Sequence, residues 1–258
     1  ATEGKVKAWD VVNEALSGAD TNGDGKYDLQ SATRGTAPDN DIPNSFYWQD
    51  YLGDLDYVRT AVASARKHFE ENGGNPEELK LFVNDYNLES DWDQNGKLKS
   101  LIQWIKDWEA DGVTKIDGIG SQMHISCYGN PQTQESKKNA IVNMLKLMAD
   151  SRKLVRISEL DMGYVDETGK SVNTNDMTEE QHKQMRDLYE FVIKKYFEII
   201  PEDQQWGICQ WCATDSPANS GWRAGLPVGL WDLDYYRKHT YGGFAAGLGA
   251  PEYWNDAK

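Results

Sequence analysis

A parallel α/β fold is predicted by three observations. Short apolar runs alternate with segments of helical periodicity five times over, and each apolar run ends in amide, carboxylate, imidazole or indole side chains. No Pro/Ser-rich linker, low-complexity tract or close repeat divides the 258 residues, so a single domain over 1–258 is expected. Alternating strands and helices imply parallel strands joined by right-handed crossovers, which gathers the polar strand ends at one edge of the sheet.

The elements follow in order. A first strand over 5–13 closes on Asn13-Glu14, an apolar run delivering an amide and a carboxylate at its carboxyl end. Tyr51, Leu55, Val58, Val62, Ala65 and Phe69 recur in steps of three and four, which predicts a helix from about 45 to 71, stopped by Gly73-Gly74. A second strand over 80–83 ends in Asn84-Asp85-Tyr86-Asn87, and Leu98, Leu101, Ile102, Ile105 and Trp108 mark the next helix. The third strand, 116–124, carries glycines where another backbone or a ligand must come close, and its period of two puts Gln122 and His124 on one face. After a helix over 134–149, the strand 154–158 leads into Glu159 and Asp161, again two apart on one face. Thr178 with Gln181 three residues on is a capping box for a helix to about 198. A last strand over 205–211, an aromatic loop over 214–223 and a helix over 237–246 complete the chain.

Composition narrows the function. Forty-two acids against 27 bases give a net charge of -15, which opposes nucleic-acid and anionic-membrane partners and suits a neutral ligand. No apolar run approaches the roughly 18 residues of a membrane span. Trp 10 and Tyr 13 outnumber Phe 6, so the aromatic content leans toward rings with a polar handle, suited to wet clefts and sugar faces. Cys127, Cys209 and Cys212 read as buried thiols, because the lone C-x-x-C sits in a Trp-flanked apolar run and has no second pair to complete a zinc site. Asp20, Asn22, Asp24 and Asp28, with Gly25 at the sixth position and the Lys26 carbonyl, have the spacing of a calcium loop, but Ser31 stands where that loop wants a bidentate Glu. A structural calcium and a solvated Asp/Asn/Gly turn both fit.

Glu14 and Glu159 stand at the ends of different strands. Two carboxylates across a cleft are the minimal kit for cleaving a glycosidic bond, one protonating the leaving oxygen and the other attacking or activating water. A separation near about 5 Å goes with retention of configuration and roughly 6.5–9.5 Å with inversion. Asp161 lies two residues past Glu159, so a carboxylate–imidazole–carboxylate chain through His124 can be drawn, while one His is thin for a zinc or iron site. Trp211 and Trp222 suit stacking on pyranose rings, whereas Trp104, Trp108 and Trp206 fall in packing positions.

The runs from Gly4 to Glu14, Asn84-Asp85-Tyr86-Asn87, Gly118 to His124, Ile157-Ser158-Glu159-Leu160-Asp161, Trp211 to Asp215 and Ser220-Gly221-Trp222-Arg223 resemble successive motifs of the family 10 glycoside hydrolases, chiefly endo-β-1,4-xylanases. The resemblance covers nearly the whole chain in the family's order. It implies an α/β (β/α)8 TIM barrel of which this chain supplies strands 4 to 8 and their helices, the N-terminal strands 1 to 3 being absent from it. It further implies a retaining enzyme that needs no cofactor for catalysis, with Glu14 as acid/base and Glu159 as nucleophile. Asn13 would meet the sugar's 2-hydroxyl, His124 and Asp161 would support the nucleophile, and Tyr86, Gln122, Trp211 and Trp222 would line the subsites. The expected partners are xylan or xylo-oligosaccharide and an N-terminal segment of the same barrel. A polymer too large to enter a cell implies a secreted, periplasmic or cell-surface protein. The long segment after Glu14 departs from the family and would lie on the leaving-group side. A binding-only fragment, and a related retaining β-glucanase or mannanase, are the competing readings.

Overall fold

A computed structural model describes residues 4–251. Its strands are β1 (Ala8–Asn13), β2 (Lys80–Asp85), β3 (Gly118–Ser121), β4 (His124–Tyr128), β5 (Leu154–Val165) and β6 (Gln205–Gln210). Between and after them come α1 (Gln49–Leu52), α2 (Asp56–Glu71), α3 (Gly96–Glu109), α4 (Pro131–Asp150), α5 (Glu179–Ile199) and α6 (His239–Gly247). All pairings between these strands are parallel, in the order β1-β2-β3-β5, with β4 and β6 also on β5. Strands buried on both faces need apolar runs, and Leu81, Phe82 and Val83 of β2 and Val155 and Ile157 of β5 are sealed from solvent.

Three elements depart from the expected pattern. The helix read from 45 to 71 is interrupted at Gly53, whose φ of 82° no right-handed helix accepts, so α1 and α2 are separate and Tyr51 is 71% exposed rather than on a buried stripe. The third strand is broken into β3 and β4 at Gln122-Met123, where Met123 takes φ 56°. The strand predicted to stop at Ser158 instead continues through Glu159 and Asp161 to Val165.

β5 also carries one extra residue relative to both neighbours. Ser121 pairs with Ile157 and His124 with Asp161, so three steps on one side meet four on β5; Ile157 pairs with Ile208 and Leu160 with Gln210, so two meet three. The extra residue falls between Ile157 and Leu160, a bulge that re-aims Glu159.

The helices pack outside the sheet through the expected stripes. Val58 and Val62 of α2, Leu98, Leu101 and Trp108 of α3, Ile141, Met144 and Leu145 of α4, and Met185, Tyr189 and Tyr196 of α5 enter one core with the strands. Asn130 caps α4 by accepting from Thr133 N–H, and Thr178 with Gln181 forms the capping box of α5. Among the described residues β1 pairs only with β2 and β6 only with β5, so the sheet has two free edges. Trp206 on β6 packs one face on Phe82, 5.5 Å between ring centroids, but is still 41% exposed there, and Cys209 is exposed rather than buried. No described helix is long and apolar enough to cross a membrane.

A buried ion pair ties the first two strand ends together. Asp85, sealed from solvent, accepts from Lys97 Nζ at 2.7 Å, from Tyr86 N–H at 2.9 Å and from Leu16 N–H at 3.1 Å. Burial pushes its carboxyl above the usual range while Lys97 pulls it down. Lys97→Met leaves that carboxylate without a cation and is expected to cost about 3–5 kcal/mol, read from the urea midpoint.

Candidate active site

Asn13, Glu14, Gln122, His124, Glu159, Asp161 and Trp222 lie in one hydrogen-bonded group, which Trp211 borders through a ring contact with His124. Glu14 follows β1 directly, its N–H held by Asn84 O at 2.8 Å and its carbonyl by Gln30 Nε2 at 2.9 Å. Its carboxylate accepts from Gln122 Nε2 at 2.8 Å and from Asn13 Nδ2 at 3.2 Å. Gln122 occupies the break between β3 and β4, so the interrupted strand, not strand periodicity, turns both it and His124 toward the cleft. Among the described residues, four of the eight non-glycine residues with positive φ stand here, namely Glu14, Asn87, Met123 and Arg223.

Glu159, on the bulge of β5, accepts from Asn84 Nδ2 at 2.9 Å on one oxygen and faces His124 Nε2 at 3.3 Å with the other. His124 Nδ1 lies 3.1 Å from Asp161 Oδ1. With one proton the ring serves one carboxylate at a time; with two it serves both. Two indoles enclose the imidazole, Trp222 at 4.5 Å and Trp211 edge-on at 5.9 Å between centroids. Trp222 also donates its Nε1–H to Asp161 Oδ2 at 2.6 Å. Tyr86 is half-buried under Lys97 Nζ, 3.5 Å from its ring centroid, and burial with the charges of Asp85 and Glu14 pushes its phenol up.

Asn84 was quoted within a motif but given no role by sequence reasoning, and it joins the two carboxylates. Its Nδ2 donates both to Glu159 and to Asn13 Oδ1 at 2.8 Å, while its Oδ1 accepts from Ser158 Oγ at 2.6 Å. The space it occupies exists because residue 120 is glycine: a Cβ there would lie 2.3 Å from Asn84 Oδ1. Arg223 was likewise unassigned. Its guanidinium reaches Asp161 Oδ1 at 3.1 Å, Ile125 O at 2.8 Å and His124 O at 3.1 Å, clamping the start of β4 to β5.

A groove of about 710 Å³ opens beside Glu14, lined by Asn13, Gln30, Asp41, Tyr47 and Trp48. The calcium-like loop is apart from these groups. Asp20, Asn22 and Asp24 accept from the loop's own N–H groups, and Asp28 accepts from Thr21 and Asn22. Among the described residues no group of three or more His, Cys, Asp or Glu side chains is placed to hold a metal ion.

Comparison with known proteins identifies the family. The model of glycosyl hydrolase family 10 matches residues 1–246. The chain belongs to this family. Endo-β-1,4-xylanase Xyn10C of Cellvibrio japonicus is 28% identical over 95% of the chain and 37% of its own length. Endo-1,4-β-xylanase A of Thermotoga maritima is 29% identical over 93% of the chain and 18% of its own length. Among solved structures, native xylanase 10C of C. japonicus superposes with a TM-score of 0.69 at 25% identity, over 96% of this chain and 47% of that one. The catalytic core of a xylanase A gives 0.68 at 22% identity, over 96% of this chain and 67% of that core. The family 10 chain thus has the parallel α/β fold of the family's barrels and spans about a third or less of the length of these curated relatives.

Proposed function

We propose that this family 10 chain carries the catalytic carboxylates of a retaining endo-β-1,4-xylanase. The observation that carries the reading is the bridge through Asn84 and Asn13, which sets Glu14 and Glu159 in one network at the ends of parallel strands. Glu159 attacks the anomeric carbon while Glu14 gives its proton to the leaving glycosidic oxygen, forming a covalent glycosyl-enzyme. Glu14, now a carboxylate, takes a proton from water as that water attacks the same carbon and frees Glu159. Asn84 presents its N–H to one carboxylate oxygen of Glu159, and with His124 Nε2 facing the other it holds the group for in-line attack. Asn13 serves the sugar's 2-hydroxyl, and Tyr86, Gln122, Trp211 and Trp222 bound the subsites.

The two free sheet edges, together with the third of the xylanase A core that has no counterpart here, support reading β1 to β6 as strands 4 to 8 of an eight-stranded barrel. The bent pair β3–β4 then counts as one strand. Strands 1 to 3 would come from a further segment, covering the exposed indoles of Trp9, Trp48 and Trp206. A polymeric substrate, too large to enter a cell, supports reading the protein as secreted, periplasmic or at the cell surface.

Xylohexaose digested by the chain joined to that segment should release its first products in the β-anomeric form, read by proton NMR before mutarotation. Products of α configuration overturn the retaining reading. Cleavage of carboxymethylcellulose or mannan in preference to xylan overturns the substrate.

A further inference from the structure

The carboxylate of Asp161 is sealed from solvent and needs four hydrogen-bond donors to fill its lone pairs. Oδ1 has two, His124 Nδ1 and Arg223 Nη1, each at 3.1 Å. Oδ2 has Trp222 Nε1 at 2.6 Å, and the other group that reaches it is the thiol of Cys212, with Sγ at 3.8 Å. That thiol is not part of a disulfide, and it follows Trp211, whose N–H is fixed to Leu160 O at 3.0 Å. Gln210 Nε2 holds the Cys212 carbonyl at 3.0 Å, so the turn that aims the sulfur is itself fixed.

We propose that Cys212 is a positioning residue of the active site, its S–H donating to Asp161 Oδ2 and so completing the donor set that keeps Asp161 aimed at His124 and, through it, at Glu159. The inference rests on the retaining reading for its effect on rate, but not for the hydrogen bond itself. Burial and the neighbouring Asp161 charge push the thiol up to about 11, so it is present as S–H, a donor, at neutral pH. Sulfur suits the position for a geometric reason. Its long C–S and S–H bonds carry the proton out to a donor–acceptor distance at which a hydroxyl makes no bond. Cys209, three residues earlier, is exposed and bonds only its neighbour's carbonyl at 3.6 Å, so the two thiols have different tasks.

Infrared spectroscopy of the complete enzyme tests this without substrate, since S–H stretching falls where other protein groups are silent. A thiol donating to a carboxylate absorbs at lower frequency and with greater intensity than a free one. The expected result is one such band that disappears in Cys212→Ala, persists in Cys209→Ser and moves to the free-thiol position in Asp161→Asn. In the rate arm, Cys212→Ala lowers kcat on xylohexaose roughly fivefold, the loss of one weak bond to a charged acceptor, with KM unchanged, and Cys212→Ser, whose hydroxyl falls short of Oδ2, does not recover it. A band for Cys212 at the free-thiol frequency, or equal kcat in Cys212→Ala and the parent, overturns the proposal. If xylohexaose is not cleaved at all the retaining reading falls, while the infrared result still decides the hydrogen bond.

Discussion

Glu159→Ala is expected to lower kcat on xylan by about 10⁵-fold or more, because on the proposed mechanism the variant has lost the nucleophile that forms the glycosyl-enzyme. The loss alone would not assign a role, so the informative experiment adds azide and an aryl xylobioside whose phenolate leaves without a proton. With the side chain gone, azide fits the vacated space beside Asn84 and His124 and attacks from the same face as the lost carboxylate. Turnover should return, and proton NMR should identify the product as the α-glycosyl azide. A β-glycosyl azide, or a variant that retains its activity on xylan, would falsify the assignment of Glu159 as nucleophile.

Glu14→Ala should behave as the complement. On xylan, where the leaving alcohol must be protonated, kcat is expected to fall by about 10²–10⁴-fold. On a dinitrophenyl xylobioside the first step should proceed near the parent rate, while the second, which needs Glu14 to deprotonate water, becomes slow. A burst of phenolate equal to the enzyme concentration, followed by slow turnover, is the expected trace in a stopped-flow record. Azide should then relieve the slow step and give the β-glycosyl azide. Equal losses on both substrates would place Glu14 in binding rather than proton transfer.

The alternation of elements and the polar ends of the strands were legible because both follow from local composition. Asn13, Glu14, Gln122, His124, Glu159 and Asp161 do meet. Three things were not legible, each because it is decided by neighbours distant in sequence. The bulge between Ile157 and Leu160 exists only relative to the strands on either side, so a run of apolar and acidic residues does not announce it. Asn84 looked like one polar residue among four, and its role depends on a vacancy at Gly120, 36 residues later in the chain. The exposure of Trp206 depends on whether a further strand lies against β6, which no pattern within 205–211 encodes. The break at Gly53 was legible in principle, since a glycine inside a helical stripe is a local signal that the regular spacing of Tyr51 and Leu55 outweighed.

The backbone at Glu14 has a price that the chemistry hides. At φ 57° any residue with a β-carbon is held about 1–2 kcal/mol above its preferred conformation, and glycine alone is relieved of this. Two variants lacking the acid/base carboxyl, Glu14→Gly and Glu14→Ala, should therefore differ in heat resistance, the glycine form melting higher by a few degrees in calorimetry although it is the more flexible when unfolded. The position would then be one where selection has kept a side chain that the chain's own conformational preferences reject, and where loss of function and gain of robustness are the same mutation.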